Sequence, residues 1–184
     1  MKYELWYSVV VRDRHGKVVS RERRRSRSFI RGWNDTIYVQ VTGNNFDSVI
    51  APNSVNLRMT SVHVNGDPHH KSIIVGSGDT PVTISDTGLA ARINHGAGAG
   101  QLSYQTATVN ASTVSAPNCG FIVERAFINN SGAEITVRES GISLRVKGVS
   151  FYTFVLGVRD VLVTPQAIPN GGTLSESYTL RVTA

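Results

Sequence analysis

Residues 174–183 alternate without a break: Leu174, Glu176, Tyr178, Leu180 and Val182 fall on one face of an extended chain, and Ser175, Ser177, Thr179, Arg181 and Thr183 on the other. Successive side chains of a strand point to opposite faces, so a period of two marks a half-buried β-strand and argues against a helix, whose apolar positions recur every three or four residues. Residues 3–12 repeat the pattern, with Leu5, Tyr7, Val9 and Val11 on the face of Tyr3. Between these ends, residues 102–109, 120–129, 134–140 and 150–158 are each of strand length and bounded by Gly, Asn or Pro. Further strands are expected at 55–64, 71–76 and 81–85. Strands at this spacing predict an all-β fold, a β-sandwich or jelly roll. One or two short helices are expected beside it. Ser28 is a possible cap for the first, with Phe29, Trp33 and Ile37 four apart on one side, although 36–41 also alternates as a strand would. Asp86 would cap the second, a single turn through Leu89, Ala90 and Ile93.

A length of 184 residues suits one domain, 1–184, with a sizeable core. Charged residues make up 17% of the chain, below the roughly 25% of average soluble domains, so much of the surface must be neutral Ser, Thr and Asn. The single cysteine, Cys119, has no intrachain partner for a disulfide, which leaves stability to packing and subunit contacts. No run reaches the 18 or so apolar residues that span a bilayer, and Met1-Lys2-Tyr3-Glu4 begins no secretion signal, so the expected site of synthesis is the cytoplasm, with no membrane partner.

The charge is concentrated at one end. Residues 1–31 hold ten Lys or Arg against three acids, a net of +7, whereas the other 153 residues carry a net of −1. Asp13-Arg14-His15-Gly16 reads as the turn of a hairpin, and the returning segment sets Arg21, Arg23, Arg25 and Arg27 in one row by the period of two. With Arg24 beside them, these guanidinium groups suit contact with an acidic partner surface or with phosphates. The same charge on an exposed edge would also guard against sheet-to-sheet aggregation. Residues 17–27 carry no aromatic to stack on bases, which weighs against single-stranded nucleic acid. Trp6, opposite in face to Leu5 and Tyr7, is the aromatic most open to an interface role, and Trp33 reads as core.

Little else points to chemistry. His63, His69, His70 and His95 are the only plausible metal ligands, and neighbouring His69 and His70 point apart in most backbones, so a polar loop is the expected reading and no metal is assigned. Gly96-Ala97-Gly98-Ala99-Gly100-Gln101 lacks the Gly-Lys-Ser/Thr ending of a phosphate loop. Glu124, Glu134, Glu139 and Asp160 are spread over different strands and are expected on the outer face. No nucleophile and base stand at a spacing that suggests an enzyme, and no cofactor is expected.

Four stretches together resemble the β-sandwich structural proteins of tailed-bacteriophage particles. They are Ser28-Phe29-Ile30-Arg31 closing the basic hairpin; Ile74-Val75-Gly76-Ser77-Gly78-Asp79-Thr80-Pro81-Val82; residues 89–102; and the pair formed by 120–130 and 159–174. The resemblance implies a non-enzymatic virion subunit, a capsid-decoration or tail protein. It would bind copies of itself and other virion proteins, among them the major capsid or tail proteins. The hairpin 1–31 is then the expected attachment element, with Arg21, Arg23, Arg24, Arg25, Arg27 and Trp6 as partner-binding residues. Two other readings stay open: a carbohydrate-binding sandwich at a tail tip using Tyr104, Tyr152 or Trp6, and a nucleic-acid contact through the arginines.

Overall fold

The computed structural model describes residues 2–26, 28–42, 46–47, 56–57, 62–63, 71–147 and 152–184. In chain order the elements are β1 (Lys2–Arg12), β2 (Val18–Ser26), α1 (Arg31–Thr42), β3 (Phe46–Asp47), β4 (Asn56–Leu57), β5 (Val62–His63) and β6 (Ser72–Gly76). The second half adds β7 (Ser103–Tyr104), β8 (Thr108–Val109), β9 (Thr113–Ser115), β10 (Asn118–Ile128), β11 (Ile135–Lys147), β12 (Tyr152–Ile168) and β13 (Thr173–Thr183). The protein is all-β with one short helix, as the alternation requires.

Two antiparallel sheets carry the fold. The larger runs β2-β1-β13-β10-β7, with β8 and β9 also pairing to β10; the smaller runs β12-β11-β5, with β6 also on β11. Strand β1 pairs with β13 over eleven residues, so the N-terminal hairpin is built into the sheet and β2 is its edge. The even positions of β13 and the odd positions of β1 turn inward, where Leu5, Tyr7, Val9, Phe127 and Tyr178 meet Ile73, Val75, Ile142 and Val158 of the smaller sheet. Burial of these side chains is the dominant favourable term.

The hairpin turn forms where expected. The Gly16 amide donates to the Asp13 carbonyl at 3.0 Å, and the Asp13 carboxylate accepts the amides of His15 and Lys17 at 2.9 and 3.0 Å. Gly16 has φ +80°, a left-handed conformation that costs a residue with a Cβ about 1 kcal/mol. An added Cβ would meet nothing within 4 Å, so only the backbone is at stake. Gly16→Ala should therefore lower the unfolding free energy by about 1 kcal/mol, read from the urea midpoint; an unshifted midpoint would contradict the geometry.

Several elements differ from the expectation for identifiable reasons. The helix starts at Arg31, not at a Ser28 cap, because residues 28–30 are extended along the edge of β12: Phe29 bridges Val158, the Arg159 amide donates to the Ser28 carbonyl and the Ile30 amide to Gly157. Gly32 then lets the first turn approach β12, since a Cβ there would lie 2.2 Å from the Leu156 carbonyl oxygen. The second helix does not form. Its amides at Ala90 and Ala91 donate to the Glu139 carboxylate at 3.0 and 2.7 Å instead of entering a helical turn. Residues 81–85 are loop, fastened through the Pro81 carbonyl to Arg159. The stretch 102–109 is two short strands, whereas β11 and β12 run well past the expected 140 and 158. Of the strand expected at 55–64, β4 and β5 are described and the rest lies outside the described residues.

Candidate interaction surface on the arginine hairpin

Alternation along β2 turns Arg21, Arg23 and Arg25 outward and exposed, opposite Val10, Ser8 and Trp6 of β1. Arg24 falls on the other face, where its Nε lies 3.1 Å from Glu22 Oε1, so it does not extend the row. Arg27 lies outside the described residues. Within the row the arginines differ. Arg25 Nη2 is 3.8 Å from Glu4 Oε1, and Glu4 is also held by Arg181. Arg23 carries its guanidinium 5.5 Å from the centre of the Trp6 ring, a cation–π contact. Among the described residues no carboxylate forms an ion pair with Arg21 or Arg23. Trp6 is half-buried on this face and its Nε1 donates to Glu4 at 3.5 Å, so it is packed within the strip and does not project from it.

The inward face of the same edge strand is fastened down. Glu22, buried, accepts from the Tyr7 hydroxyl at 2.7 Å, the Thr164 amide at 3.2 Å and Gln166 Nε2 at 3.4 Å. Ser20 donates to Gln166 Oε1 and Ser26 to Asp160 Oδ1. These contacts tie β2 to β12 of the opposite sheet, so the outward arginines stand on a rigid base.

Behind that base lies a buried acidic chain. Ser140 Oγ donates to Glu176 and lies 3.0 Å from the Tyr178 hydroxyl, which donates to Asp160 Oδ2 at 3.2 Å. Burial raises the Asp160 carboxyl above its ordinary range, against the hydrogen bonds from Ser26 and Tyr178. Burial, with the charges of Asp160 and Glu22 adding to it, pushes Glu176 up to about 8. Tyr7 and Tyr178 are raised by burial too, with Glu22 adding to it at Tyr7 and Asp160 and Glu176 at Tyr178.

No known protein family, characterised protein or solved structure matches this chain. The arrangement itself therefore has to carry any functional reading.

Two sequence expectations are corrected by burial. Glu139 and Asp160 are buried, while Glu124 and Glu134 are exposed. Tyr104 is buried, its hydroxyl donating to the Ile93 carbonyl at 2.5 Å, which removes it as a surface for sugar stacking. His95 Nδ1 accepts the Tyr104 amide at 3.0 Å, a structural role; His69 and His70 lie outside the described residues, as do the side chains of His63 and Tyr152. The glycine run 96–100 closes into a turn through Gln101, whose Oε1 accepts the Gly98 amide at 3.0 Å. Trp33 packs on Phe29 at 5.0 Å between ring centres and lines an apolar cavity of about 550 Å³ with Tyr3, Ile37, Phe121 and Leu180.

Sequence reasoning missed Glu22, the anchor beneath the arginine row. Its position in the alternation, one residue out of phase with Arg21 and Arg23, was the available signal.

Proposed function

We propose that this chain is a non-enzymatic structural subunit of a phage particle, a capsid-decoration or tail protein, whose outward arginine row meets acidic groups on a neighbouring subunit. The observation that carries this reading is the pairing state of the row: Arg21 and Arg23 are exposed cations without a carboxylate partner among the described residues, on a strand whose other face is clamped by Glu22 and Ser26. A guanidinium displayed on a fixed strand needs no backbone ordering when it binds, and its planar fork matches a carboxylate. A mostly neutral sandwich surface suits burial against many identical neighbours. The carbohydrate reading loses Tyr104 to the core. The nucleic-acid reading has Trp6 already covered by Arg23 and no other stacking surface on the row.

The test is incorporation into particles of the protein's source. Arg21→Glu with Arg23→Glu, and Arg25→Gln to spare the neighbouring Glu4, should reduce incorporation at least tenfold, since like charges across an interface suppress docking. The isolated variant should keep its β-sheet circular dichroism and melt within a few degrees of the parent. Undiminished incorporation would overturn the reading, and DNA binding that falls steeply with salt would replace it with the nucleic-acid one.

A further inference from the structure

The outward face of the larger sheet is uncovered. Helix α1 packs on β12, and residues 77–91 are fastened to the outside of the smaller sheet, so among the described residues no element lies over the outward faces of β1, β13 and β10. Ser8, Val10, Ala126, Ser175 and Ser177 there are half-buried by their neighbours alone and form the floor of a trough of about 450 Å³. Small side chains let a second sheet approach to about 10 Å.

We infer that this face pairs with the same face of a second copy about a two-fold axis parallel to the strands, with Arg23 of each copy against Glu124 of the other. The inference rests on the structural-subunit reading and names the neighbour. Its warrant is the order of charges across the sheet. Arg23 stands opposite Ser8, Ser8 opposite Ser177, and Ser177 opposite Glu124, so a cation and an anion flank two serines in one row, with Thr108 of β8 beyond the glutamate. Glu124 is exposed and, like Arg23, has no ion-pair partner among the described residues. The next charged pair along the strands, Glu4 and Arg181, is already closed within the chain, which leaves Arg23 and Glu124 as the charges to be met from outside.

A two-fold axis along the strands, lying over the line between β1 and β13, exchanges left and right across the sheet. It brings Arg23 over the partner's Glu124, while Ser8 meets the partner's Ser177 and Val10 the partner's Ser175. One axis thus pairs the two charges left without an ion pair in the row, with Arg21 and Arg25 falling over the partner's Ala126 and Ile122. An axis across the strands fails, because it sets β2 of one copy over β2 of the other and so arginine row against arginine row. The face spans five strand positions, roughly 24 Å by 33 Å, close to the ~800 Å² per partner of a standard interface. Near-aligned sheets are also the usual packing of two β-faces.

Sedimentation velocity of the full chain, at about 0.15 M salt and over about 1 to 100 µM, tests the pairing. The parent should dimerise in this range. Glu124→Arg and Arg23→Glu should each weaken dimerisation at least tenfold, and the two together should restore it to within about threefold of the parent. Both side chains are exposed, so the fold should persist in all three variants, as thermal melts would verify. A parent that stays monomeric at about 100 µM, or a combined variant no tighter than the singles, would overturn the inference. Failure here is separable from failure of the functional reading. Arginine-dependent incorporation by a monomer sinks only the two-fold pairing, whereas a charge-swapped dimer whose incorporation ignores the arginines sinks only the attachment role.

Discussion

Replacing Arg159 with Met is expected to lower the unfolding free energy by about 3–5 kcal/mol, the usual cost of stranding one partner of a buried ion pair. Arg159 and Glu139 are both essentially inaccessible to solvent, with Nε 2.9 Å from Glu139 Oε2. The remaining guanidinium nitrogens reach Asp86 at 2.8 Å and the carbonyl and hydroxyl of Thr80 at 3.0 Å each. Glu139 in turn accepts the amides of Gly78, Ala90 and Ala91. Although burial works against it, hydrogen bonds from Thr83 and Arg159 hold Asp86 below the usual carboxyl range. This one network fastens residues 77–91 over the smaller sheet. Met fills much of the same volume without the charge, so Glu139 is left to protonate in place or to draw water in. For a chain of this size the melting temperature should drop by roughly 10 °C, and the Ala90 and Ala91 amides should lose protection from hydrogen exchange before the rest of the sheet does. Adding Glu139→Gln should recover part of the loss by removing the stranded charge. A melting point within a degree or two of the parent would show that the network contributes little.

How much of this was legible depends on whether a residue's role follows from local period. The inward sets Leu5, Tyr7, Val9 and Val11, and Leu174, Tyr178 and Leu180, could be read directly, because each strand buries one face and a slip of one residue would expose the whole set. The hairpin turn at Asp13 to Gly16 and the outward row at Arg21, Arg23 and Arg25 were readable for the same reason. Strands β11 and β12 run past the expected ends at 140 and 158, through Gly141 and through the charged pair Arg159 and Asp160. They continue because Arg159 finds Glu139 on the neighbouring strand 20 residues away and Asp160 finds Tyr178 on the opposite sheet 18 residues away, which no local window contains. Residues 86–93 carried a plausible capping residue and helical spacing, yet a distant carboxylate took the amides. The candidate surface divides in the same way. The arginines announce themselves by composition, whereas the importance of Glu22 beneath them and of Glu124 three strands away emerges only from the register.

Stability should fall as pH rises from about 4.5 to about 8, and Glu176 is the main cause. Its carboxyl is completely buried, and burial, followed by the charges of Asp160 and Glu22, pushes it up to about 8 from an ordinary value of 4.5, against the hydrogen bond from Ser140. Between those values the folded chain holds a proton that the unfolded chain has released, so unfolding becomes more favourable with each unit of pH. Below about 4.5 both states are protonated at this site and the stabilisation is fully present; above about 8 both are ionised and the slope from this group ends. At about 1.4 kcal/mol per unit, the window amounts to several kcal/mol, or a melting temperature lower by roughly 10 °C at pH 8 than at pH 5. Asp160, also raised by burial, acts with the same sign. Glu176→Gln keeps an oxygen to accept from Ser140 but cannot ionise. It should match the parent near pH 5, exceed it near pH 8 and remove more than half of the slope. A parent whose melting point is level from pH 5 to pH 8 would refute the assignment, as would a Gln variant that retains the full slope. Because Ser26, Glu22 and Gln166 fasten the arginine strand to this same acidic interior, ionising Glu176 sets its negative charge against those of Asp160 and Glu22. The base beneath Arg21 and Arg23 should therefore loosen with rising pH, and the row should lose its rigid display well before the fold is lost.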